Sequence, residues 1–364
     1  MKIHGIVVCR DDWGTLEMSV CHALVNHVDV VHVLDHGSVD QTAAGLEILK
    51  EIWGDRLITY ASGPGVPYKQ AVLTNMIVSI AESKGADWIY VFDADEFLLA
   101  RPEHSLRHEL AAVSDEVVGI RYPMNNYISP HDFNRMDAEH YGRLVYKSIP
   151  RFPYNAQAGW DEIYNEKSSF FDYPFPSKTI FRANRKLLIK DGAHKLSWTI
   201  GDQVAIPSKS VECAHLTYIS RDTLEKKKVL GETLIKLGFP RHHGWQSQLI
   251  FQLHREGRLD AFWQRHSIGA DPDCGLSPRH TIDGSLTGAL THTIGILRQK
   301  FGGPDMTRHA GKPLRQGMAT AGTVSFAESF QMADYLYQRL QLLLDATNPP
   351  SQKKLAIVRP TAKR

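Results

Sequence analysis

Three short apolar runs in the N-terminal part of this chain each stop on carboxylates, and helix-like stretches separate them. Ile3 to Val8 leads into Arg10-Asp11-Asp12, and Val30 to Leu34 into Asp35-His36-Gly37-Ser38-Val39-Asp40. Trp88-Ile89-Tyr90-Val91-Phe92 leads into Asp93-Ala94-Asp95-Glu96-Phe97. Residues 13–28 carry Leu16, Val20, Ala23, Leu24 and His27 at helical spacing, and Gln41 to Trp53 repeats the pattern with Leu46, Leu49, Ile52 and Trp53. Such alternation implies right-handed crossovers and a parallel sheet. The carboxyl ends of parallel strands share one rim, which is where open α/β sheets bind ligands. Asp12, Asp35 and the Asp93/Asp95 pair are therefore expected to converge on one crevice.

Residue type says what that crevice can hold. Asp93 and Asp95 are two apart, so in extended backbone their side chains point the same way. Two hard oxygen ligands on one face suit Mg2+ or Mn2+, which can bridge a diphosphate. A solvated acidic turn is the alternative for an isolated Asp-x-Asp. Asp35 at a strand end can accept hydrogen bonds from a nucleobase or ribose. Gly37 permits a tight reversal, and Ser38-Val39-Asp40-Gln41 reads as a capping box for the next helix. The loop Ser62 to Gln70 precedes a helix over 71–83 with a stripe of Val72, Met76, Ile77 and Ile80, and it delivers Lys69 to the mouth of the site, for phosphate or for solvent.

Taken in order, Arg10-Asp11-Asp12, Val33 to Thr42, Asn75 and Trp88 to Phe97 resemble the nucleotide-sugar domain of family 2 glycosyltransferases. The likeness is to the branch whose metal motif reads Asp-x-Asp-Glu-Phe. It covers about the first hundred residues, with weaker echoes near residues 178–228. The resemblance implies a GT-A type α/β fold, a mostly parallel sheet flanked by helices. It implies that Asp12 and Asp35 contact the base or ribose of a nucleoside diphosphate sugar and that Asn75 belongs to the same nucleotide-sugar site. It further implies that Asp93 and Asp95 frame Mn2+ or Mg2+ on the diphosphate, Asp93 touching both. A cation there neutralises the charge that develops on the departing diphosphate. Two departures stand out: the family usually has Asn-Glu in place of Asp11-Asp12, and Asp-Asn-Gly-Ser in place of Asp35-His36-Gly37-Ser38.

Later segments echo the same branch, with a Lys and an Arg, then Gly-x-His, then a His followed by an aromatic. By resemblance, Lys178 or Arg182 lies near the diphosphate and His194 or His215 is a third protein ligand to the metal. A direct displacement at the anomeric carbon also needs a base for the acceptor hydroxyl. The aromatic-rich stretch 123–177 contains Trp160-Asp161-Glu162, where aromatic faces beside carboxylates suit sugar stacking and proton transfer. Asp161 or Glu162 is the candidate base, against the alternative that these aromatics only pin the insertion to the domain.

Composition sets outer bounds. The 364 residues are 43% hydrophobic and 23% charged with a net charge of +2, an ordinary globular balance without the basic field of a nucleic-acid binder. No apolar run reaches spanning length and the chain enters a strand directly after Met1-Lys2, so a cytoplasmic location is expected. Cys9, Cys21, Cys213 and Cys274 lack metal-site spacing and read as reduced, packed thiols. The expected organisation is a catalytic domain over 1–240 with 123–177 as its acceptor-side insertion, a helical extension over 241–348, and a mobile basic tail over 349–364 that could meet anionic lipid or a partner. Pro272 to Gly288 reads as loop, whereas Ser325 to Leu343 reads as a capped helix whose stripe of Phe326, Phe330, Ala333, Leu336, Leu340 and Leu343 packs on the core or forms a homodimer. The activity these readings favour is transfer of one sugar from a UDP or GDP sugar to a glycan or other hydroxyl acceptor, with inversion. The Gln-x-x-Arg-Trp signature of processive synthases is missing. A sugar nucleotidyltransferase and a non-catalytic nucleotide-sugar or glycan binding module are the alternatives.

Overall fold

The computed structural model describes residues 1–63, 66–101, 105–133, 140–185, 187–194, 196–198, 204–241, 244–269, 278–301 and 323–347. The N-terminal alternation becomes β1 (Ile3–Cys9), α1 (Trp13–Asn26), β2 (Val30–Asp35), α2 (Thr42–Trp53), β3 (Leu57–Ala61), α3 (Gln70–Ser83) and β4 (Trp88–Val91). These strands stand in the order β3-β2-β1-β4, every pair parallel. Cys9 is in register with Asp35, and Asp35 with Ala61, so the strand ends align along one rim. The fold is the expected α/β one, a curled sheet flanked by helices. Close helix packing has local causes: a β-carbon on Gly45 of α2 would lie 2.2 Å from the Trp13 ring of α1, so only glycine lets the two approach.

The second half of the sheet is mixed. This part of the chain forms β5 (Glu96–Ala100), α4 (Leu106–Ala112), β6 (Val117–Ile128), β7 (Tyr146–Ser148), α5 (Ala156–Tyr164), β8 (Phe175–Arg182), β11 (Val204–Pro207) and β12 (Val211–His215), while β9 (Leu187–Ile189) and β10 (Leu196–Trp198) pair with each other in a separate two-stranded sheet. β8 lies antiparallel between β4 and β6, and β12 runs antiparallel to β5 and parallel to β6. One expectation is corrected here. Asp93 and Asp95 are not in extended backbone, because β4 stops at Val91 and a turn closed by Glu96 N–H donating to the Asp93 carbonyl at 3.0 Å leads into β5. Asp93 and Asp95 therefore sit in a turn, and their side chains take different partners.

Residues after 240 add four helices and a short strand among the described residues. α6 (Arg221–Lys236) rests on α7 (Trp245–Arg255), with Gly231 so near α7 that a β-carbon would come within 1.9 Å of the Ser247 carbonyl oxygen. α7, α8 (Leu259–His266) and α5 share an apolar cluster that includes Trp160, Phe170, Leu249 and Phe262. β13 (His280–Ile282) pairs with β7. α9 (Ser285–Phe301) buries Leu286, Leu290 and Ile294 in one cluster and Leu297 in the main core. The loop expected over Pro272 to Gly288 is corrected only in part: residues 272–277 lie outside the described residues, β13 occupies His280–Ile282, and α9 begins at Ser285, where tertiary packing supplies what Gly288 and the threonines lack in propensity. α10 (Thr323–Thr347) lies on α3 through Phe330, with Ala333 and Tyr337 beside it, while Leu336 and Leu340 of the expected stripe face solvent. The basic tail and Cys274 lie outside the described residues. Among the described residues, no helix is long and apolar enough to cross a membrane.

Candidate active site

The turn between β4 and β5 gathers two carboxylates around a buried cation and sets a third beside them. Lys178, on β8 and 1% exposed, places its Nζ 2.8 Å from Asp93 Oδ2 and 2.6 Å from Glu96 Oε1. Gln70 at the start of α3 donates to Asp93 Oδ1 at 3.3 Å, and the Asp93 backbone N–H donates to Glu96 Oε2 at 3.1 Å. Burial alone would raise Asp93, but the Lys178 ammonium overrides it and holds that carboxyl down at about 2. Glu96 is pushed the other way by burial, with Asp93 and Asp95 adding to it against the pull of Lys178. Removing one partner from so buried an ion pair leaves an uncompensated charge, at about 3–5 kcal/mol.

Asp95 turns toward β12 instead. Its Oδ2 lies 3.8 Å from His215 Nε2, and its carbonyl accepts from Leu216 N–H at 2.9 Å. His215 Nδ1 is 2.9 Å from Asn126 Oδ1 on β6, a contact that fixes the ring. Burial keeps the imidazole neutral, its pKa well below the usual value, which is the form that ligates metals. Ligand atoms of Asp95, Glu96 and His215 all lie within 4.8 Å of one another, and this is the group the described residues offer for a cation. Two carboxylates and one neutral imidazole fit Mn2+ or Mg2+. His194 flanks the same turn beside Lys178 and Asp93. Burial and the Lys178 charge lower it to about 4, and its Nδ1 is buried without a partner.

The rim at β1 and β2 is built differently. Asp11 takes a left-handed conformation (φ 56°) and accepts from Val39 N–H at 2.6 Å and Asp40 N–H at 3.1 Å. Asp40 in turn accepts from Trp13 N–H and Thr42 N–H. Asp35 accepts from both the backbone N–H and the hydroxyl of Ser38, at 2.9 and 2.6 Å. The Ser38 hydroxyl accepts from Asp11 N–H, so the capping box expected at Ser38 is replaced by a cross-turn bond. Asp12 is the exception. It stands at the start of α1 without a side-chain cap bond, and burial followed by the nearby Asp95 charge raises its carboxyl to about 6. Asp12 and Asp95 are therefore electrostatic neighbours, as convergence at one rim requires.

Other expected site residues stand elsewhere. Arg182 is paired in register with Trp88, where β4 begins, and it bonds the Val117 and Val113 carbonyls. It is four residues beyond Lys178, roughly 13 Å along an extended strand, which takes it to the opposite end of the sheet. Lys69 pairs with Asp334 of α10 at 2.6 Å, because α10 covers that side of α3. The amide of Asn75 is occupied at both ends, donating to the Ala71 and Ile189 carbonyls and accepting from Ile189 N–H, so it pins β9 to α3. Asp161 on α5 is exposed and pairs with Arg241 at 3.5 Å, while Arg241 also covers the Trp160 ring. Glu162 is half-buried on the same helix, in the last turn of which its carbonyl accepts from Lys167 N–H.

The sequence reading missed α6 as a source of cations. Lys226 reaches the Asp11 carbonyl and lies 4.0 Å from Asp40. Lys227 lies 5.8 Å from the Tyr218 ring centroid, and its charge is felt at Asp12, Asp95 and His215. Their signal was the Lys226-Lys227-Lys228 run opening a helix just after the His215 strand.

No family model matches the chain, and no curated protein matches it. Among solved structures the chain is similar to S. aureus TarS 1-349, at 12% identity over 93% of this chain and 92% of that one, TM-score 0.33. It is also similar to glucosyl-3-phosphoglycerate synthase from Mycobacterium tuberculosis in complex with Mn2+, UDP and glucosyl-3-phosphoglycerate, at 15% identity over 66% of this chain and 81% of that one, TM-score 0.30. These overlaps assign no role to any residue of this chain.

Proposed function

We propose that the protein is a cation-dependent glycosyltransferase of the GT-A type, moving one sugar from a nucleoside diphosphate sugar to a hydroxyl acceptor with inversion. The observation that carries this reading is the meeting of Asp95, Glu96 and His215 at the end of β4, with Asp12 as neighbour and Lys226 and Lys227 facing them from α6. Asp95 and His215, with Glu96 beside them, would hold Mn2+ or Mg2+. Bound there, the cation supplies charge neutralisation at a departing diphosphate. Lys226 and Lys227 add positive charge on the other side of the same anion. Asp12 and Asp35 face the base and ribose, Asp35 with its orientation set by Ser38. Asp161 or Glu162 serves as the base for the acceptor, Asp161 only after leaving Arg241.

A nucleotidyltransferase would need a Gly-rich, cation-bearing loop after β1, where this chain has the acidic turn Asp11-Asp12. A binding module that kept the crevice and lost the base is the second reading. Calorimetry with UDP and GDP, with and without Mn2+, combined with hydrolysis of their sugar conjugates, tests the proposal. Binding of one nucleotide should tighten about tenfold or more with Mn2+, and its sugar conjugate should be slowly hydrolysed. Failure of Mn2+ to alter binding overturns the proposal; metal-linked binding without hydrolysis or transfer leaves the module.

A further inference from the structure

The cation site proposed above contains a cation of the protein's own. Lys178 has its ammonium within 2.8 Å of both Asp93 and Glu96, and the Lys178 and Glu96 side chains are each 1% exposed. Asp95 is left outside this ion pair and meets His215 instead. Glu96 thus belongs to two groupings at once: its oxygens bond Lys178, and they lie within ligand distance of Asp95 and His215.

Resting on that reading of the site, we propose that Lys178 is a positioning residue that sets the affinity of the cation site by competing for its carboxylates. The ammonium satisfies Glu96 and Asp93 before any metal arrives, leaving Asp95 and His215 as the ligand pair of an intentionally weak site. A bound diphosphate then completes the coordination that Glu96 does not give. Metal and nucleotide binding are thereby coupled, since neither finds its full set of partners alone. Asp95 and an unopposed Glu96, together with His215, would instead hold a divalent ion tightly with no nucleotide present.

The test is Mn2+ binding to the full chain, read as free Mn2+ by electron paramagnetic resonance, for the native protein, Lys178→Met, Lys178→Arg and Lys178→Met/Glu96→Gln. Lys178→Met should bind Mn2+ about tenfold more tightly than native protein, with Mn2+ raising its Tm more than it raises the native one. Lys178→Arg keeps the charge and should stay within about twofold of native. A merely structural lysine would lower Tm in Lys178→Met and leave Mn2+ affinity where it was, and that result overturns the proposal. Should Lys178→Met fail to fold, the double variant decides, because it removes one charge of each sign. It should fold and bind Mn2+ within about threefold of native, whereas a tenfold loss would show that Glu96 is a ligand in its own right and overturn the competition. Native protein that binds no Mn2+, with or without nucleotide, ends the cation reading itself; native binding that Lys178→Met leaves unaltered ends only the assignment to Lys178.

Discussion

The rim of this sheet carries two acidic turns of similar composition that use their carboxylates in opposite ways. At the ends of β1 and β2, Asp11, Asp35 and Asp40 accept hydrogen bonds from backbone N–H groups and the Ser38 hydroxyl. Asp11 and Asp40 hold the two loops together, and Asp35 is oriented within its own turn by Ser38. At the end of β4, Asp93, Asp95 and Glu96 face Lys178, His215 and one another. Charge held against burial is stored there, whereas in the first turn it is quenched by local dipoles. A carboxylate at a strand end is therefore not a ligand by position alone; what its oxygens already accept decides the matter.

The sharpest way to break this comparison is Asp95→Asn, which keeps shape and removes charge. Sugar-nucleotide hydrolysis or transfer should fall by about a thousandfold, the scale of losing one preorganised electrostatic contact to the reacting groups, while the chemical-denaturation midpoint scarcely moves. Activity within tenfold of native would place Asp95 with the structural acids. Asp11→Ala should do the reverse. It removes two backbone acceptor bonds and puts alanine at φ 56°, so unfolding free energy should drop by about 2–3 kcal/mol, with kcat of the folded fraction within about threefold. A large kcat loss at intact stability would refute the division.

Asp12 supplies the third and smallest effect, and its sign is unusual. Its carboxyl sits at about 6 in the fold against 3.8 when unfolded, so folding disfavours its ionised form. Its stabilising contribution is complete below about pH 4 and is lost as pH rises through 6. Asp12→Asn should accordingly stabilise the protein at pH 7 by about 1–2 kcal/mol, a figure reduced for partial solvation, while weakening nucleotide binding. Urea denaturation at pH 7 and pH 4 checks this, since the gain should vanish at the lower pH. A variant less stable than native at pH 7 would move Asp12 among the loop-holding acids.

How much of this was legible in the sequence differs along the chain. Strands β1 to β4 and their helices declared themselves through periodicity, because each buries a face or a whole run against the same core. The turn within Trp88 to Phe97 did not, since Asp93 to Glu96 reads as well in extended backbone as in a reversal until the Glu96 bond to Asp93 is seen. Lys178 and Arg182 looked equivalent on one strand, and only the antiparallel register of β8 sends one to the crevice and the other to Trp88. His194 and His215 were equally indistinct; Asn126, remote in sequence, is what orients the second. α9 hid because its core contacts, not its composition, stabilise it.

The hydrogen at Gly231 has a consequence one turn along its helix. With the α6 and α7 backbones this close there, the glycine sets how near α6 lies to its neighbour, and with that where the stems of Lys226 and Lys227 begin. A methyl group placed at that contact would act as a wedge between the two helices and shift the base from which both ammonium groups reach the crevice.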